Sequence, residues 1–216
     1  MKNSKEDLET IFLDVRKAYR LLFAYQSRVL DIIKFIGNEL NFTYQGGHPK
    51  YSDLTPRSGK GTLENWAWDW LNIYCYGFNF KDKIISENET FRFSAILVSD
   101  TGFYDFETNP NHQNKKKLIN YNEPNDSETK LILVYGKNGW VDDIKGFEKI
   151  YKKGARPIVE VFEYGILVAK SYPLSSFADA DCALDQINDF VTYCIINGLT
   201  EIKPLEAPSS PDSNSK

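Results

Sequence analysis

Leu8, Val15, Leu22, Val29 and Ile36 recur every seven residues from the start of the chain, an apolar stripe that only a long helix can align. Two flanking rows, Ile11/Ala18/Tyr25/Ile32 and Phe12/Tyr19/Ile33/Leu40, widen that stripe. The pattern predicts a helix over 5–40, with Ser4 as its cap, Asp7 completing an imperfect capping box, and Gly37-Asn38 marking an end or kink. Its apolar face is too broad for a two-stranded seam alone. One edge is expected to pack on a sheet and the other to meet a partner helix. A helix of this length reaches roughly 50 Å and overhangs a small domain, which points to a homo-oligomer formed through the N-terminal helix.

After this helix the period breaks. Gly46, Gly47, Pro49, Pro56, Gly59 and Gly61 interrupt residues 41–62, which read as a Gly/Pro loop long enough to suggest a function. Then Trp66, Trp68, Trp70, Tyr74, Tyr76, Phe78 and Phe80 fall on one parity, interrupted only by Asn72, as in a strand from Asn72 onward. Leu63, Trp66, Trp70 and Ile73 also fit helical spacing, so residues 63–71 are open to either reading. Further strands are expected over 90–99, continuing to 106 in one reading, over 130–135, and over 158–171 with a break at Tyr164-Gly165. Short connections between strands favour an antiparallel meander. The Asn-rich insert 107–128 reads as a mobile surface loop, and the charged residues of 142–153 as the polar face of a short helix.

Ser175 or Ser176 is expected to start a last helix over 179–197, whose apolar face includes Ala183, Ile187, Val191 and Cys194, with Asn197-Gly198 as its stop. The fold class is therefore α+β: a meander sheet of about four to five strands, spanning 66–171, with both helices on one face. Residues 1–202 form the single expected domain, and the Pro- and Ser-rich tail 203–216 reads as disordered.

The charge balance of −4 gives no global attraction to nucleic acid or to an anionic membrane. No run of eighteen apolar residues and no leader-like N-terminus occurs, so the expected location is cytoplasmic. Cys75, Cys182 and Cys194 lack metal or redox spacing and read as reduced, buried thiols. His48 and His112 fall in expected loops without ligand spacing. No cofactor is expected.

Gly59-Lys60-Gly61-Thr62 resembles the end of a phosphate loop, but Leu54 and Gly61 stand where that loop requires Gly and Ser or Thr. Arg57, Lys60 and the glycine amides are left as contacts for a small anionic ligand or an acidic partner. The aromatic run reads first as core; Trp66, Trp68 and Trp70, if exposed, become protein-binding anchors. Base stacking is disfavoured because no basic residue lies between Trp66 and Phe80 on the other parity. Lys115, Lys116 and Lys117 read as solvated surface.

The expected function is thus a non-enzymatic cytoplasmic interaction protein that self-associates and binds a protein or small anionic ligand through residues 44–62 and adjacent aromatics. The alternative is a divalent-metal-dependent phosphodiester hydrolase with Asp100, Asp105, Glu160 or Glu163 as ligands.

Overall fold

The heptad stripe forms the helix its period demands, α1 (Lys5–Glu39). The computed structural model describes residues 5–49, 75–102, 122–140 and 158–202. Ser4, Asp105, the 63–71 segment, His112, Lys115 to Lys117, residues 142–153 and the tail 203–216 lie outside them, as do Arg57, Lys60, Trp66, Trp68 and Trp70.

Helix α1 ends two residues later than Gly37, in a turn closed by Asn41 at φ 55°. The Phe42 amide reaches back to the Gly37 carbonyl at 2.7 Å and the Asn41 amide to Asn38 at 3.0 Å, which satisfies two carbonyls the helix leaves open. Lys83 Nζ donates to the Leu40 carbonyl at 3.3 Å while lying 3.8 Å from the Phe42 ring centroid. Gly37 thus stands in the last turn of the helix, where the Gly37-Asn38 end is expected. It is a place where the Phe80 ring lies against the helix backbone, since a Cβ there would stand 2.5 Å from Phe80 Cε1.

Seven antiparallel strands follow: β1 (Tyr44–Pro49), β2 (Cys75–Phe80), β3 (Lys83–Ser86), β4 (Glu89–Val98), β5 (Lys130–Lys137), β6 (Ile158–Val161) and β7 (Ile166–Pro173). The sheet order is β1-β2-β4-β5-β7-β6, with β3 paired to β4. This is the expected antiparallel sheet with more strands than the four or five expected, and it departs from the expected meander where β7, not β6, pairs with β5. The additions are β1 and β3. Two glycines and a proline disguise β1 as loop, yet at the sheet edge it needs only one partner, and Gly47 pairs with Phe78 beneath the Tyr76 ring. Strand β3 is four residues long and hairpins onto β4 through Glu87 and Asn88. The 158–171 segment does break as expected, into β6 and β7, with paired bonds between Phe162 and Gly165 closing the turn.

A short 3-10 turn, Leu174–Phe177, leads into α2 (Ala180–Ile196). The cap is Asp179, not Ser175 or Ser176: its carboxylate accepts the Cys182 amide at 2.8 Å. The serines are consumed by the preceding turn. That amide hydrogen bond holds the Asp179 carboxyl below the usual carboxylate range.

Both helices cover one sheet face. Phe78, Phe80, Phe91, Phe93, Ala95, Leu97, Leu131, Leu133 and Tyr135 alternate onto that face and meet Val29, Ile32, Ile33, Ile36 and Leu40 of α1 and Ala183, Ile187, Phe190, Val191 and Cys194 of α2. Phe93 centres the aromatic packing, with ring centroids 4.9 Å from Phe80, 5.4 Å from Phe42 and 6.5 Å from Phe190. The described part of the aromatic run is thus core, as its parity required. The opposite parity of the central strands, including Ile96, Val98, Ile132, Val134 and Leu167, is buried as well. Cys75 and Cys194 are buried, and burial pushes the Cys194 thiol upward; Cys182, expected to be buried, is exposed because it lies on the outer face of the first turn of α2.

Candidate functional site

The stripe along α1 changes environment part-way. Val29, Ile32, Ile33, Ile36 and Leu40 are buried, whereas every residue from Glu6 to Ala24 is exposed. The same apolar rows continue across that boundary. Leu8, Ile11, Phe12, Val15, Tyr19 and Leu22 stand in solvent, with Tyr19 64% exposed and Phe12 50%. Nineteen exposed residues of helix extend roughly 28 Å, far more contiguous apolar surface than isolated surface side chains account for.

Two polar anchors mark where the helix leaves the sheet. The Tyr25 hydroxyl lies 2.9 Å from Ser99 Oγ, and burial pushes its pKa above the ordinary tyrosine value. Arg28 Nη2 donates to the carbonyls of Phe177 at 3.1 Å and Ala178 at 2.6 Å, tying α1 to the turn before α2. The direction of the protruding segment is therefore set by a braced base. Within it Lys17 and Asp14 form an exposed ion pair at 3.0 Å, a contact that contributes little by itself.

At the opposite end of α1 a recess of about 630 Å³ opens between the helix and the sheet edge, lined by Leu30, Lys34, Asn38, Tyr44, Phe78 and Phe80 among others. It is mostly apolar, with Lys34 at the rim side of the helix. Tyr44, the start of the segment expected to bind a ligand, lines it. Tyr44 and Phe80 rings meet edge to face at 6.0 Å.

The carboxylates of the hydrolase reading are spread apart. Asp100 follows β4, and its Oδ1 accepts the Gly102 amide at 2.8 Å, closing a local turn. Glu160 lies on β6, opposite Leu167, and Glu163 lies in the β6–β7 turn. Strands β4 and β6 are three positions apart in the sheet, and the register sets Glu160 level with Arg92, so Asp100 and Glu160 are separated by roughly 30 Å. No group of three or more His, Cys, Asp and Glu side chains suited to a metal occurs among the described residues. His48 lies on β1, not in a loop, with Nδ1 3.4 Å from Asn79 Nδ2, and Asn79 in turn accepts from buried Ser94 at 2.6 Å.

A further polar cluster joins the sheet to α2. Lys170 Nζ and the Tyr172 hydroxyl both donate to Asp189 Oδ2, at 2.5 and 2.6 Å. Partial burial works to raise the Asp189 pKa, but the two hydrogen bonds outweigh it and keep the carboxyl below its ordinary range. Burial and the adjacent carboxylate push the Tyr172 hydroxyl up, so it remains a donor at all ordinary pH. This cluster fastens α2 to β7.

The PM0109 family profile matches residues 5–197, and so takes in both helices and every strand of the sheet. The chain belongs to the PM0109 family. Its similarity to the Uncharacterized protein PM0109 of Pasteurella multocida (strain Pm70) is 58% identity over 38 residues, covering 18% of this chain and 19% of that protein. The match thus spans about a fifth of that relative's length. No solved structure matches the chain. Among the described residues of this PM0109-family chain, no helix is long and apolar enough to cross a membrane.

Proposed function

We propose that this chain is a non-enzymatic cytoplasmic interaction protein that self-associates through residues 6–24 of α1. The observation that carries the reading is the continuity of one apolar stripe across a boundary: its C-terminal part is core and its N-terminal part, with the same spacing, is bare. A helix protruding into water gains nothing from apolar side chains on a single face, and most helix stability comes from packing such a face. The recess beside Tyr44, with its apolar wall and Lys34, supports the accompanying role for residues 44–62 in binding a protein segment or small anionic ligand.

Sedimentation equilibrium of the full chain tests the reading. A dimer or higher oligomer is expected, converted to monomer by Leu22→Asp with an unchanged circular dichroism spectrum from the globular part. A wild-type monomer at the highest soluble concentration refutes it.

A further inference from the structure

The exposed part of α1 carries its charges in two blocks. From Glu6 to Asp14 there are four acids, Glu6, Asp7, Glu9 and Asp14, and no base; from Val15 to Leu30 there are four bases, Arg16, Lys17, Arg20 and Arg28, and no acid. Two such helices side by side in the same direction would set acid beside acid and base beside base. Turned head to tail with Val15 opposite the other copy's Ala18, Asp14 comes near the level of the other copy's Arg20 and Asp7 near that of its Arg28, Arg16 and Lys17 stay level with their own counterparts, and the two helix dipoles oppose. Packed helices lie about 8–10 Å apart, within about one screening length at physiological salt, so the difference is felt.

On this charge pattern, and resting on the self-association reading above, we propose that the protruding helix pairs with that of a second copy in antiparallel orientation, with Val15 of each opposite Ala18 of the other. The register follows from the stripe. Leu8, Val15 and Leu22 form one row and Ile11, Ala18 and Tyr25 the other, and antiparallel layers match a residue of the first row with one of the second. With Val15 opposite Ala18, Leu22 meets Ile11 and Leu8 meets Tyr25, where the helix joins the sheet. One flank then brings Phe12 against Tyr19, and the other brings Asp7 to Arg28. Sliding one heptad closer requires Val29, 1% exposed, to leave the core. Sliding one heptad away sets Asp14 against Asp14 and strands Leu22. The bounds of the core and the charges therefore select one register.

The test is disulfide trapping in the full chain, with exposed Cys182 replaced by Ser so that the remaining native thiols are the buried ones. Ile11→Cys/Leu22→Cys is oxidised, digested with trypsin, and its cross-linked peptides are identified by mass spectrometry. The expected product is a covalent dimer joined between positions 11 and 22, while Ile11→Cys alone and Leu22→Cys alone stay uncross-linked, because each position lies roughly 16 Å along the axis from its own copy. Cross-links of 11 to 11 and 22 to 22 overturn the antiparallel arrangement and leave self-association standing. A wild-type dimer with no cross-link from any variant overturns the arrangement by moving the interface elsewhere, and a wild-type monomer overturns both readings. Salt gives a second, substitution-free measurement: the antiparallel pair weakens as ionic strength rises, whereas a parallel pair tightens.

Discussion

Val15 and Val29 are the same residue on the same row of the same helix, four turns apart, and differ only in whether the sheet lies beneath them: Val29 is 1% exposed and Val15 43%. Replacing each by Ala removes two methyl groups. At Val29 the lost transfer energy is about 1.6 kcal/mol; the unfilled space against the core raises it to about 2–3 kcal/mol, and the better helix propensity of Ala returns about 0.5 kcal/mol. The net loss is about 2 kcal/mol in the folding stability of the monomer. At Val15 a little over half of the same transfer energy is at stake, and the propensity gain cancels much of it, leaving a change within about 0.5 kcal/mol of zero. The surface still exposed on Val15 is what a second copy would cover, at about 0.7 kcal/mol per copy, so Val15→Ala should weaken a symmetric dimer by about 1.4 kcal/mol, or about tenfold in dissociation constant. Urea denaturation followed by circular dichroism at low protein concentration measures the first quantity, and sedimentation equilibrium the second. Equal destabilisation by the two variants at low concentration would show that the exposed segment packs on its own chain. An unchanged dissociation constant for Val15→Ala would remove this row from the interface.

Two further outcomes test the core. Gly37→Ala is expected to lower stability by about 1–2 kcal/mol, because the new Cβ would stand 2.5 Å from Phe80 Cε1 and 3.1 Å from the Phe42 carbonyl, and the backbone cannot yield; a gain of about 1 kcal/mol, which helix propensity alone predicts, would contradict the packing. For Asp189 the folded-state pKa is depressed, so its stabilisation is fully present above the unfolded carboxylate value and is lost as pH falls through the folded one, below about pH 4. Asp189→Asn should cost about 1 kcal/mol at neutral pH, the half-exposed carboxylate being screened by solvent, and should flatten the acid limb of the stability profile; an unchanged acid limb in urea titrations would show that Lys170 and Tyr172 do not hold this group.

Features written in a local period were legible without a structure. The stripe of α1, the apolar runs of β4, β5 and β7 between turn residues, the break at Tyr164-Gly165 and the face of α2 all follow from local residue order, which the chain carries wherever it goes. Elements stabilised by a neighbour were not. Strand β1 exists because β2 offers an edge, and Asp179 became the cap because the serines ahead of it entered another turn. The candidate site shows both sides. Its residues, Leu8 to Leu22, were visible in the repeat, and the charge blocks beside them could be counted from the sequence, but the carboxylates Asp100 and Glu160 looked combinable only until sheet order separated them.

The sequence alone determined that α1 would be long and apolar along one face, since helical periodicity depends only on residues a few positions apart. Where that face stops being core was decided by the tertiary structure. The sheet ends beneath Tyr25, beside Ser99 just past β4, and a residue one turn earlier has the same neighbours along the helix but water in place of a strand, so burial, and with it the surface left for a partner, is set by how far the strands of a sheet assembled from residues far away in the chain extend.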